Sequence, residues 1–365
     1  MLNHLFKYAV AVLVVSFCGF IFQAISAPPN QPLTTSLPAI SASQSISKDW
    51  LINSKSAENN SFSAIWLDNE HIVYESNGIF EIYNINQRIG TTIGKGSNPK
   101  ASPDGQWIAF IAALDKVNQI WIMKKDGSEK KQLTHLKEGF AGSYNYDYNF
   151  AWSFDSNQLA FFINPVNPDL SHSRDLHLLP SSVQVIEVMT GALREIYSDF
   201  GLLSDLSWYH NGEKLLMTKL RIGKEAHTSW VQSVCLRDGF VRTLAKFNGL
   251  QQFLQPEISQ DGLQVAILYN AESDIFDWMP SIGIVASEGN GDAVPLVKQL
   301  TFDSKFVKSK WSKDGRQLFA LRNYGAYNQI YTSNSQSGEL KQITNSPLNI
   351  INFEISPDGL MKWLA

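Results

Sequence analysis

The sequence predicts an all-β propeller, seven blades favoured and six the alternative, preceded by an N-terminal signal or anchor and a short linker. Three observations predict it. One short turn motif recurs along the chain from Trp66 to the C-terminal residues; the segments after each turn are nearly continuous apolar runs; and the copies succeed one another at blade-sized spacing.

The clearest copy begins at Asn98 and reads NPKASPDGQWIAFIAALDKVNQIWIMKKDGSEKKQLT. Its first half recurs as WSFDSNQLAFF from Trp152, WYHNGEKLLM from Trp208, ISQDGLQVAIL from Ile258, WSKDGRQLFAL from Trp311 and ISPDGLMKWLA from Ile355. A degenerate copy, WLDNEHIVY, opens at Trp66, and the second half returns as QIYTSNSQSGELKQIT from Gln329 and as KQLT from Lys298.

Each part has a physical reason. In Ser102-Pro103-Asp104-Gly105, proline presets the first turn dihedral, aspartate hydrogen-bonds nearby backbone and glycine accepts a positive φ. The runs Ile108 to Ile111 and Ile120 to Met123 lack clean alternation, as strands do when both faces of their sheet are covered. A sheet flanked on both sides by copies of itself is a propeller blade.

The turn positions Asp68, Asp104, Asp155, Asn211, Asp261, Asp314 and Asp358 suggest seven blades. The last copy holds two strands only, and Asp49-Trp50-Leu51-Ile52-Asn53 is the segment expected to supply at least one of the two it lacks. The expected division is residues 1–27 as signal peptide or membrane anchor, 28–48 as a Pro/Ser-rich linker and 49–365 as propeller.

The leader reading rests on Lys7 ahead of an apolar stretch from Tyr8 to Ile25, followed by Ser26 and Ala27. Whether cleaved after Ser26 or kept as a tether through residues 8–25, it takes the body of the protein out of the cytoplasm, to the periplasm or beyond. A net charge of -4 gives no reason to expect a nucleic-acid partner. With Cys18 in the leader and Cys235 alone, no disulfide framework is expected, and Cys235 reads as a small buried apolar residue.

Taken together, the S-P-D-G turn, the I-A-F strand, Q-I-W-I-M, D-G and Q-L-T resemble the TolB-like, PD40 (WD40-like) propeller repeat over most of residues 62–359. The resemblance implies an envelope role like that of TolB, which acts beside the Pal lipoprotein. TolB's α/β domain ahead of its propeller has no counterpart in the spacer at residues 28–48.

In a four-stranded blade alternate connections share a face. The S-P-D-G and D-G turns therefore share one, and the long insertions, 136–148, 164–182 and 271–281, share the other. On that long-loop face the expected binding residues are Phe140, Tyr144, Tyr146, Asp147 and Tyr148, with Phe276 and Trp278. Aromatic rings with polar tips bury area and still hydrogen-bond. Asp169, His172, Asp175 and His177 read as a solvated loop, so no metal and no cofactor are expected. No nucleophile elbow, H-E-x-x-H, Walker loop or Rossmann fingerprint occurs.

The function expected is a non-catalytic, monomeric protein-interaction module that binds an envelope protein through the long-loop face. The alternatives are a metal-dependent, glycan-active propeller like the oligogalacturonate lyases, which the repeat also resembles, and a carbohydrate-binding propeller.

Overall fold

A computed structural model describes residues 63–137, 150–164, 180–221, 228–248, 253–270, 280–289, 298–299, 306–324, 327–334, 339–345, 350, 352–356, 359 and 361–364. The predicted leader, the linker and the segment at 49–53 lie outside them.

The described chain is all β. Blade 1 holds β1 (Ser63–Trp66), β2 (His71–Ser76), β3 (Ile79–Asn84) and β4 (Ile89–Lys95). Blade 2 holds β5 (Ser97–Ala101), β6 (Trp107–Leu114), β7 (Val117–Lys124) and β8 (Lys131–Gln132). Blade 3 holds β9 (Phe150–Trp152), β10 (Gln158–Ile163), β11 (Pro180–Glu187) and β12 (Leu193–Phe200). Blade 4 holds β13 (Leu202–Trp208), β14 (Lys214–Arg221), β15 (Thr228–Cys235) and β16 (Val241–Asn248). Blade 5 holds β17 (Phe253–Ile258), β18 (Gln264–Asn270), β19 (Pro280–Ala286) and β20 (Lys298–Gln299). Blade 6 holds β21 (Phe306–Trp311), β22 (Gln317–Tyr324), β23 (Tyr327–Asn334) and β24 (Leu340–Gln342).

Every neighbouring pair inside a blade is antiparallel and sequential. The first strand of each blade packs on the first strand of the next, from β1 round to β21, so the first strands form the innermost ring about the axis.

The propeller has six blades among the described residues, a correction to the seven favoured from the turn count. The seventh turn is real, with the Gly359 amide donating to Ser356 O at 2.8 Å. It joins only β25 (Asn352–Ile355) to β26 (Met361–Leu364), a two-stranded sheet lying against blade 6. A turn motif counts hairpins, and a blade needs two of them.

The turn chemistry follows the sequence closely. Gly105 N donates to Ser102 O at 2.8 Å, Trp107 N to Ser102 Oγ at 2.9 Å and Gln106 N to Asp104 Oδ1 at 3.0 Å. The serine hydroxyl donates to the aspartate in this turn and again at Ser153–Asp155, Ser259–Asp261 and Ser312–Asp314. Gly105 adopts φ +67, and a Cβ there would sit 2.5 Å from Leu67 O, so conformation and space both require glycine.

The Q-I and Q-L-T segments form a clamp. Thr134 Oγ1 donates to Gln119 Oε1 at 2.8 Å and accepts from Ile120 N at 2.8 Å, while Leu136 N donates to the same Gln119 oxygen at 3.0 Å. Blade 6 repeats it with Thr344, Gln329 and Ile330. The outer strands there are only two or three residues long. Side chains take over the ladder where backbone pairing stops.

The core lies between blades. On β6, Ile108 and Phe110 join Leu67, Val73 and Phe80 of blade 1, whereas Ala109 and Ile111 join Phe150, Leu159 and Phe161 of blade 3. Both faces are covered, which is why the run reads as continuous. Each of the buried Val, Leu, Ile and Phe side chains contributes about 1.5–3 kcal/mol on burial. Cys235, expected to be buried, is only half-buried at the end of β15.

Candidate functional site

The loop residues expected to bind, Phe140, Tyr144, Tyr146, Asp147, Tyr148, Phe276 and Trp278, lie outside the described residues, as do Asp169, His172, Asp175 and His177. Two other constellations are described, one on the long-loop face and one on the propeller axis.

The first surrounds Trp230 near the start of β15. Lys219 and Lys246 are its cross-strand partners on β14 and β16. Lys219 Nζ stands 5.5 Å, Lys246 Nζ 5.9 Å and the Arg221 guanidinium 6.0 Å from the ring centre, within range of a cation–π attraction. Blade 3 supplies the counter-charge from the end of β12. Lys219 pairs with Asp199 Oδ2 and donates to Tyr197 OH at 3.2 Å, and Tyr197 OH donates to Asp199 Oδ2 at 3.0 Å.

Gly201, at φ +115, lets the chain pass close enough to make this contact, because a Cβ would lie 2.9 Å from Leu220 O and 3.2 Å from Lys219 Cε. Burial acts to raise the Asp199 carboxyl, but the Lys219 hydrogen bond, the Phe200 amide and the Lys219 charge hold it below the usual range. Burial, with Asp199 beside it, pushes the Tyr197 phenol up. Lys219 is buried, whereas Arg221 and Lys246 are exposed and the adjacent Phe200 is 50% exposed. All leave the strands at the end from which the 222–227 connection departs, the long-loop face.

The second constellation lines the axis. In the first strands, Trp311, Ile258 and Ile355 pack sideways between elements, and the residues before them turn inward as Lys310, Glu257 and Glu354. Lys308 joins them, paired to Glu354 and donating to Asn352 Oδ1 at 2.8 Å. Lys310 Nζ stands 3.9 Å from Glu257 Oε1.

These four side chains keep between 20% and 35% of their surface open, yet lie deep among the blades. Burial pushes the Glu257 carboxyl up and the Lys308 ammonium down. The charges of Glu257 and Glu354 raise Lys310, and burial of Glu354 is outweighed by Lys308 and Lys310, which hold its carboxyl down. Lys100, from β5, donates to Phe150 O at 2.5 Å and lies over the Phe150 ring.

Two of the described histidines, His71 and His210, stand at turns, and a third, His135, lies exposed after β8. His71 Nδ1 meets Asp68 Oδ1 at 2.9 Å and its Nε2 accepts from Asn84 Nδ2 at 2.9 Å. His210 lies tilted at 49° against Phe154 with ring centres 4.2 Å apart, and burial pushes its imidazole below the ordinary range. Among the described residues no three His, Cys, Asp or Glu side chains gather to hold a metal ion.

Neither constellation was singled out in the sequence. The signal for the axis was the charged residue just ahead of the turn, in K-S-K-W at Lys308 and in the two E-I-S segments at Glu257 and Glu354. The signal for Trp230 was the pair of cations in T-K-L-R, at Lys219 and Arg221.

No protein-family model matches the chain. An uncharacterised protein of Agrobacterium fabrum is 27% identical over 145 residues, 37% of this chain and 46% of that protein, so the chain spans less than half the length of this curated relative. The propeller domain of the Trilobed protease from Pyrococcus furiosus superposes with a TM-score of 0.57 at 15% identity, covering 83% of this chain and 93% of that one. Oligogalacturonate lyase from Vibrio parahaemolyticus gives 0.56 at 10% identity, covering 79% and 77%. TolB from Acinetobacter baumannii gives 0.46 at 15% identity, covering 82% and 71%. At such identities a superposition speaks for the fold alone, and the fold is a β-propeller.

Proposed function

We propose that this chain is an exported, non-catalytic interaction module of the bacterial cell envelope that binds an envelope protein through its long-loop face. The observation that supports it is the Trp230 constellation. Trp and Arg are the residue types that anchor protein interfaces, and Arg221 stands over Trp230 beside an exposed Phe200. Lys219 and Asp199 hold the platform rigid from beneath. A rigid aromatic–cationic platform loses little entropy on binding.

The TolB-like repeat and the apolar leader support export and an envelope role. The metal-dependent, glycan-active alternative draws no support from His71 and His210, which are engaged at turns by Asp68, Asn84 and Phe154.

The test is affinity capture from a solubilised envelope fraction, comparing wild type with a Phe200→Ser/Arg221→Ala variant and with Phe240→Ser. Phe240 is 62% exposed in the turn after β15, on the opposite face. One envelope protein is expected with wild type and Phe240→Ser and not with the double variant. Equal capture by all three, or loss with Phe240→Ser alone, rejects the reading. A hit confined to a glycan array favours the carbohydrate-binding alternative.

A further inference from the structure

The axial charges call for an explanation beyond protein docking. Placing two lysines and two glutamates deep in a fold costs desolvation, and an apolar set of similar volume is often as stable or more so. Part of the cluster has a structural use. Lys308 is satisfied by Glu354 and Asn352, and so ties β25 to blade 6.

Lys310 and Glu257 are different. They face each other at 3.9 Å, too far for a hydrogen bond, and Lys310 donates none among the described residues. Both side chains keep part of their surface open, Lys310 35% and Glu257 26%. An ammonium with three donors and a carboxylate with several acceptor sites are thus held side by side by rigid strands, each with capacity to spare.

The sign of the ligand follows from the neighbours. A simple anion at Lys310 meets the charges of Glu257 and Glu354, and a simple cation at Glu257 meets Lys310 and Lys308, which outnumber the one like-charged neighbour, Glu354. Two other charged side chains of the first strands are committed elsewhere: Asp205 accepts from Thr218 Oγ1 at 2.9 Å, and Lys100 donates to Phe150 O. The complement to adjacent opposite charges is a ligand carrying both.

We propose that the axial wall at Lys310 and Glu257 is a binding site for a small zwitterion of the α-amino-acid type, its carboxylate on Lys310 and its ammonium on Glu257. This site is separate from the long-loop face and does not depend on the interaction reading above.

The test is titration calorimetry on the purified full chain with free L-amino acids, each hit repeated with its N-acetyl and carboxamide derivatives. Either derivative removes one charge and needs no variant. At least one free amino acid is expected to bind, and each derivative to weaken it by about tenfold or more, the worth of one charge-assisted hydrogen bond. Glu257→Gln, nearly isosteric, and Lys310→Met are expected to weaken it similarly with unfolding still cooperative. Failure of every free amino acid at millimolar concentration overturns the proposal. So does equal binding of the derivatives, or unchanged affinity in a folded Glu257→Gln protein.

Discussion

The indole Nε1 of Trp152 donates to the backbone carbonyl of Lys100 on the preceding blade at 3.0 Å, and the Lys100 ammonium returns a hydrogen bond to Phe150 O. The same tie recurs from Trp208 to Ala151 O and from Trp311 to Glu257 O, both at 2.9 Å. Neighbouring blades are thus pinned strand to strand at the axis, which gives the tryptophan ahead of the turn its use.

Replacing Trp152 with Phe keeps most of the packing and removes the donor. It is expected to cost about 1–3 kcal/mol, because the Lys100 carbonyl loses its indole donor while the rest of the interface stays in place. Urea unfolding measures this, and a cost near zero contradicts a tie of that kind.

Glycines at the turns are not equivalent. Gly105→Ala meets both a positive φ and the Leu67 carbonyl at 2.5 Å, whereas Gly212, at φ +72, has nothing within 4 Å of its Cβ position. Gly212→Ala is expected to cost about 1 kcal/mol and Gly105→Ala about 2–4. Matched thermal melts of the two variants decide it, and equal shifts contradict the close approach at Leu67.

The turn aspartates make stability depend on acid. Hydrogen bonds from Ser153, Ser259 and Ser312 hold Asp155, Asp261 and Asp314 below the usual carboxylate range. A carboxyl depressed in the folded state contributes stability above its unfolded value of about 3.9, lost as pH falls through the folded value. Stability therefore declines below about pH 4. The Ser153→Ala/Ser259→Ala/Ser312→Ala variant is expected to flatten that decline and lower stability at neutral pH. An unchanged acid slope contradicts it.

The Lys219–Asp199 pair is asymmetric. Lys219 keeps 4% of its side-chain surface open and Asp199 38%. Asp199→Asn strands a buried ammonium and is expected to destabilise by about 3 kcal/mol, the low end for breaking a buried pair. Lys219→Met leaves a carboxylate that water reaches, and costs less. Chemical denaturation of the two variants is the check, and the reverse order contradicts a buried Lys219 facing a half-open Asp199.

What was legible in the sequence is what local chemistry decides. Asp104 and Gly105 make a turn wherever they occur together, and Ile108 to Ile111 read as doubly covered because each alternate residue meets a different blade. The count of blades was not legible from Asp358, because one hairpin and half a blade carry the same motif. Nor was the axial cluster. First strands carry bulges, with Asn98, Asp205 and Gln255 at positive φ, and each bulge resets which residues face the axis. The Trp230 platform needs Asp199 from another blade, a pairing no spacing reveals.

The most direct measurement of the central claim is photocrosslinking in intact envelopes, with a photoreactive phenylalanine analogue placed at Phe200 or at Phe240. One crosslinked envelope protein is expected from position 200, lost on adding Arg221→Ala, and none from position 240. A crosslink from position 240 alone, or the same product from both, contradicts the assignment of the working face.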